Sequence, residues 1–197
     1  HESGNFLARD RYDQSPSLAT SIERAMALNE IGTNDLAHVE LYSCFPCVPK
    51  MARRVLDWPI EKPVTVFGGL TFGGGPIGNY MSHAVVAMAE KLRGTDGRGL
   101  LFANGGYATH NHAIMLSGVP TGAHFPQDFD YQTEADGRRG EVPPIDEDYA
   151  GPAVIETYTV HYDRAGSPKS GVIAALTPNG SRPLAKVPAD DGETIAF

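Results

Sequence analysis

Only two cysteines, Cys44 and Cys47, occur in 197 residues, beside one tryptophan and five methionines. So few thiols exclude a disulfide-stapled secreted scaffold and point to a reducing compartment, the cytoplasm. Positive charge is also scarce, with 16 Lys and Arg against 24 Asp and Glu and a formal net charge of -8. Nucleic acid and anionic membrane surfaces both select clustered Lys and Arg, so neither is an expected partner. No apolar window approaches the length of a membrane span and no signal peptide opens the chain. The chain begins at His1 without a methionine and reads as a piece of a longer polypeptide. No G-x-S-x-G, H-E-x-x-H or P-loop pattern is present. The 41% hydrophobic and 20% charged content is ordinary, enough for one sizeable core and a small second domain.

Glycine, in contrast, is concentrated. Gly68 to Tyr80 reads Gly-Gly-Leu-Thr-Phe-Gly-Gly-Gly-Pro-Ile-Gly-Asn-Tyr, a loop almost free of side chains that lets a ligand approach the backbone. Upstream, Val64, Val66 and Phe67 between Pro63 and Gly68 predict a short strand. Downstream, Ile77, Tyr80, Met81, Ala84, Val85, Met88, Ala89 and Leu92 keep helical spacing, which predicts a helix from about Pro76 to Arg93 with Gly94 as its cap. Three readings fit the loop. Gly73, Gly75 and Gly78 formally satisfy G-x-G-x-x-G, yet the next strand ends in Asn104-Gly105-Gly106 and not in the acid that holds a ribose. The second reading is an acyl-thioester pocket whose reacting carbonyl lies on the bare loop. The third is close packing of helix on strand.

The order along the chain predicts an α/β layer structure. Ser15-Pro16 starts a helix that runs toward Gly32, and His38 to Tyr42 alternate as a strand. Ser43-Cys44-Phe45-Pro46-Cys47 leads into a basic helix through Lys50, Arg53 and Arg54, and strands follow at Leu100 to Ala103 and at Ala113 to Leu116. From Gly118 to about Ala150, four prolines, the acids Asp146, Glu147 and Asp148, and the pair Arg138-Arg139 predict an extended connector. Beyond it the period becomes two: Val154 to Tyr162, then Gly171 to Leu176, then the Asn179-Gly180 hairpin into Arg182 to Val187. This predicts a small all-β module, a five-stranded barrel or an open sheet.

Cys44-Phe45-Pro46-Cys47 is a C-x-x-C between a strand and a helix, the arrangement of dithiol redox chemistry. A thioredoxin domain would close the site with a later cis-proline, whereas the segment after Pro63 runs into glycines. Two buried small hydrophobes is the plainer reading of the cysteines. His110 and His112, two apart on a strand, face one side and could hold zinc with a third ligand, which has no suitable local spacing here. Hydrogen-bonding, acid-base or structural roles fit the two histidines better.

Taken in order, Glu40-Leu41-Tyr42-Ser43-Cys44-Phe45-Pro46, the glycine loop through Gly75-Pro76-Ile77-Gly78, and Gly99-Leu100-Leu101 to Asn104-Gly105-Gly106-Tyr107 resemble the C-terminal half of thiolases. The nearest types are the sterol-carrier-protein thiolases and the acetyl-CoA acetyltransferase-like proteins of bacteria. The resemblance covers residues 1–118, and the tail resembles the additional C-terminal domain of thiolase-like proteins of the first type. It implies a thiolase-like C-terminal domain, a mixed sheet with helices on its faces (1–118), an extended connector (119–150) and a small all-β, OB-like module (151–197). It also implies a cytoplasmic acyl-CoA acyltransferase-like protein of lipid metabolism. The expected ligand is an acyl-CoA, with no cofactor and no metal, and the expected partners are the N-terminal half of the same polypeptide and, in the full-length protein, a second copy.

Carried across residue by residue, the resemblance puts the residue that opens the oxyanion-hole motif at Tyr42, the histidine of Gly-His-Pro at Gly75, and the acid-base cysteine at Ala103 or Asn104. A glycine accepts no proton and an alanine donates none. The expected site is then catalytic Tyr42 and His110, with Gly73, Gly74, Gly75, Asn104, Gly105, Tyr107 and His112 binding the substrate. Two alternatives stand beside acyl transfer. One is a catalytically silent acyl-CoA or lipid binding module. The other is a retro-aldol cleavage of acyl-CoA by Tyr42, helped by Tyr107 and His110.

Overall fold

The computed structural model describes residues 1–120, 122 and 129–195. Positions 121 and 123–128 of the expected connector and 196–197 of the tail lie outside the described residues. The chain divides into two compact units, one of residues 1–4 and 13–139, the other of residues 5–12 and 140–197.

The first unit begins with α1, Pro16–Leu28, started by Ser15, whose Oγ accepts from the Leu18 N–H at 3.2 Å. Its apolar spacing buries Leu18, Ile22 and Met26. There follow β1 (Leu36–Tyr42), α2 (Cys47–Leu56), α3 (Gly69–Gly73), α4 (Tyr80–Leu92), β2 (Arg98–Gly105), β3 (His110–Ser117) and α5 (Gln132–Gly137). The sheet order is β1-β2-β3, with β1 and β2 parallel and β2 and β3 antiparallel. Leu100, Leu101 and Phe102 of the middle strand are each 0% exposed, as a strand covered on both faces requires. Leu100 and Phe102 join Val39 and Leu41 against α1 and α2, while Leu101 meets Tyr80, Ala84, Met88 and Leu92 of α4. Each such fully buried side chain contributes about 2 to 3 kcal/mol. Gly99 lets α4 approach, because a Cβ there would overlap the Met88 side chain. The mixed sheet with helices on both faces is therefore present as expected.

Three local expectations fail, each for a visible reason. Residues 64–67 form no strand. Leu41 N–H donates to Val64 O at 2.9 Å, and the next N–H groups, those of Val66 and Phe67, go to the Glu40 carboxylate at 2.8 and 3.2 Å. The long helix starts at Tyr80 and not near Pro76, because Gly78 takes a left-handed φ of +70° and the Asn79 N–H closes a separate turn on Pro76 O at 2.8 Å. Its far end matches, with Gly94 at φ +76° just beyond. Cys44 and Cys47 are free and exposed, not buried, because the strand-to-helix turn carrying them lies outside the core.

The second unit is a three-stranded antiparallel sheet, β4 (Val154–Tyr162), β5 (Pro168–Leu176) and β6 (Leu184–Pro188), followed by the short α6 (Gly192–Ile195). The Asp163 carboxylate sets the first turn by accepting from the Ala165 and Ser167 N–H groups at 2.8 and 2.9 Å. Among the described residues this is an open sheet with a helical turn, not the five strands of an OB-like barrel. Residues 5–12 join it through Arg182, which is 0% exposed. Its guanidinium donates to Leu7 O and Arg9 O at 2.6 and 2.5 Å, and to both Glu156 carboxylate oxygens at 2.6 and 3.0 Å. The Tyr12 ring lies 4.8 Å from it. No helix among the described residues is long and apolar enough to cross a membrane.

Candidate functional site

The strand register puts three of the singled-out positions in one row: Tyr42 of β1 pairs with Ala103 of β2, which pairs with His112 of β3. Two strand spacings separate the outer two, about 10 Å. This row faces α4. The Tyr42 ring stacks on Tyr80 at 4.2 Å between centroids, and Tyr80 meets Phe67 edge-on at 5.3 Å. Phe67 in turn stacks on His83 at 5.5 Å and lies edge-on to Phe72 at 5.7 Å. A Cβ on Gly73 would overlap the Phe67 ring, so the aromatic chain links Tyr42 to the glycine loop.

The loop is anchored by a group the sequence analysis passed over. Glu40, 1% exposed, accepts from Thr65 Oγ1 at 2.7 Å, from the Val66 and Phe67 N–H groups, and from Tyr80 Oη at 2.8 Å. Thr65 Oγ1 then accepts from the Gly68 and Gly69 N–H groups at 2.8 and 3.1 Å, fixing the start of the loop. The available signal was an acid between Val39 and Leu41, at the same parity as Tyr42. Burial pushes the Tyr80 phenol far above its ordinary value, and the hydrogen bond to Glu40 and the carboxylate's charge push it further. Burial also raises Tyr42, with the charge of nearby Cys44 adding to it. Both phenols are therefore proton holders near neutral pH. Gly74 takes φ +67°, and Gly75 is exposed with open space where a side chain would stand.

The other expected residues divide. Gly105 pairs with His110 and shares the row's face, and the two histidines lie beside the chain start, His1 being 4.5 Å from His110 and 6.4 Å from His112. His1 is thus a third imidazole from the far end of the sequence. Among the described residues, even so, no group of three or more His, Cys, Asp or Glu is placed to hold a metal ion. Asn104 points to the opposite face of the sheet from Ala103, by strand alternation. Its Nδ2 donates to Gly106 O at 2.5 Å, and its buried Oδ1 has no hydrogen-bond partner among the described residues. Tyr107 packs with the α1 and α2 core and lies edge-on to Phe45 at 5.3 Å. His112 also lines a groove of about 560 Å³ along β3 with Ser21, Arg24, Asn111, Phe129 and Tyr131, but Tyr42 does not.

The α1 side of the sheet holds a second buried carboxylate. Glu2 accepts from Ser15 Oγ and the Ser17 N–H at 2.7 and 2.8 Å and from Arg139 Nε at 2.9 Å, and Asn111 Nδ2 donates to Ser17 Oγ at 2.7 Å. Burial alone would raise its pKa, but these hydrogen bonds outweigh burial and hold it below the ordinary carboxylate value. Every oxygen of Glu2 is spent on neighbours that fix α1 and the chain start, so its role is architectural.

Comparison with known proteins bears on the family and the fold. Residues 133–197 match the family described as the thiolase-like protein type 1 additional C-terminal domain. The fold matches the crystal structure of a monomeric SCP2-thiolase-like protein type 1 from Mycobacterium smegmatis, with a TM-score of 0.79 and 32% sequence identity. That match covers 92% of this chain and 40% of the other, so the chain spans less than half of its neighbour's length. No curated protein matches. With the tail matched to this family and nearly the whole chain superposed on such a fold, the chain is a thiolase-like protein.

Proposed function

We propose that the chain binds an acyl-CoA as part of an acetyl-CoA acetyltransferase-like protein of lipid metabolism in the cytoplasm, and that its own residues hold the thioester without turning it over. The observation that carries this is the row of Tyr42, Ala103 and His112 beside a glycine loop whose tip, Gly74 and Gly75, offers backbone and no reactive side chain. Tyr42 can donate a hydrogen bond to a thioester oxygen. As a base it is poorly suited, because burial raises its pKa, and this weighs against the retro-aldol reading. His110 and His112 supply imidazoles on this face, with His1 beside them. Gly73, Gly74, Gly75 and Gly105 supply the bare backbone for a pantetheine arm. Asn104 and Tyr107, on the other face, close the strand end from beneath. The neighbour is monomeric, which favours a single copy over the homodimer that the resemblance implied.

The test is a titration of this chain with octanoyl-CoA, read by thermal melting and by release of free CoA thiol. The expected outcome is a melting transition raised with ligand concentration, as binding to the folded state alone requires, and no thiol release. Tyr42→Phe should leave the binding within a few fold. An unmoved transition at saturating ligand refutes binding, and steady thiol release from this chain refutes the silent site.

A further inference from the structure

We infer that Cys44 and Cys47 are a dithiol site, oxidised by a low-molecular-weight disulfide to an intramolecular bridge at the mouth of β1. Both thiols are free and exposed, unlike structural cysteines, which are among the most buried residues. The chain between them is already bent and pinned. Phe45 N–H donates to Ser43 Oγ at 2.9 Å, Val48 N–H closes on Phe45 O at 3.0 Å, and the Phe45 ring rests edge-on against Tyr107. Pro46 sits in the helical region at φ -59°, ψ -23°, so Cys47 opens α2 directly. Bridging four residues held in this curve asks little further loss of chain freedom. The helix Cys47–Leu56 carries Lys50, Arg53 and Arg54 and no acid, and Cys47 is its first residue.

The chemistry balances without a further reagent. One cysteine thiolate attacks a sulfur of the small disulfide, forming a mixed disulfide and releasing one small thiol. The second cysteine thiolate then attacks the protein-bound sulfur, forming the Cys44–Cys47 bond and releasing the other small thiol. Two protein thiols are oxidised and one small disulfide is reduced to two thiols. Cys44 is close enough for its charge to act on the Tyr42 phenol, so the oxidation state reaches the strand end that the acyl-thioester reading uses. The inference does not rest on that reading.

The experiment takes the whole chain, reduced and freed of reductant, through incubation with glutathione disulfide, alkylation of the remaining thiols and intact mass measurement. The expected product has lost both alkylatable thiols, retains no glutathione, and regains both thiols with dithiothreitol. Cys44→Ser and Cys47→Ser should each keep glutathione on the remaining cysteine, because no second thiol resolves the intermediate. Both are surface changes that leave the fold intact. Wild type carrying glutathione on both cysteines overturns the inference. So does wild type losing its thiols only into covalent dimers, or keeping both free while the single variants are modified.

Discussion

Replacing Glu40 should cost the first unit more than any other single change near the strand end. Its carboxylate takes four donors: Thr65 Oγ1, the Val66 and Phe67 N–H groups, and Tyr80 Oη. In Glu40→Ala the Tyr80 hydroxyl, on a residue 3% exposed, loses its acceptor inside the core at a cost of about 1 to 3 kcal/mol. The Val66 and Phe67 amides are half-buried and regain water, so each gives up only about 0.5 to 1 kcal/mol. The space left by the side chain adds about 1 kcal/mol. The sum is about 3 to 6 kcal/mol. Glu40→Gln keeps the volume and one acceptor oxygen for the two amides, and its NH₂ can donate to a reversed Tyr80 hydroxyl, so about 1 to 2 kcal/mol is expected. Trp58, the single tryptophan, is packed in the α1 and α2 core, so its fluorescence in a urea titration reports this unit. An alanine variant within about 1 kcal/mol of wild type, or a glutamine variant as damaged as the alanine one, would refute the assignment of Glu40 as the loop's anchor.

Tyr80 gives a pH dependence. Its folded pKa is raised, by burial first and by Glu40 second, so the stability it carries is full below the ordinary tyrosine value of about 10 and falls as pH rises beyond it. Urea titrations between about pH 9 and pH 11 should show a slope approaching ~1.4 kcal/mol per pH unit that is smaller in Tyr80→Phe; equal slopes would exclude Tyr80 as the source. Gly73→Ala forces a methyl group into the Phe67 ring and should cost about 1 to 3 kcal/mol, whereas Gly75→Ala meets open space and should stay within about 0.5 kcal/mol. Equal melting temperatures for the two variants would show that the loop does not pack on Phe67. Arg182→Met leaves the Glu156 carboxylate unpaired and frees Leu7 O and Arg9 O, and because Glu156 is 21% exposed the cost is about 2 to 4 kcal/mol. Amide exchange in β4 to β6 should quicken accordingly, and unchanged exchange would contradict a structural role for Arg182.

The elements that could be read from the sequence are those whose ends are settled by neighbouring residues. The Ser15-Pro16 start of α1, the Gly94 cap, the alternation of Val154 to Tyr162 and the turn at Asp163 all depend on groups within four residues of one another. The errors share the opposite cause. Val64 to Phe67 has strand-forming composition, but its N–H groups are taken by a carboxylate 26 residues earlier in the chain, and local pattern carries no trace of that. Residues 5–12 belong with the tail because Arg182 reaches Leu7 O across 175 positions. The cysteines were misjudged by the average behaviour of their residue type, which says nothing about a turn standing outside the core.

The candidate site follows the same division. Register alone brings Tyr42, Ala103 and His112 into one row, because alternation along each strand and the order of the strands decide it. Alternation also sends Asn104 to the other face, so an adjacent pair in the sequence cannot both serve the row. What register cannot supply is the support behind it: Glu40 beneath the glycine loop, Tyr80 between that carboxylate and Tyr42, and His1 beside His110. A substitution survey of reactive positions alone would therefore understate this site. Its shape rests on a buried acid and a phenol that holds its proton, and the bare loop keeps its place only while both remain.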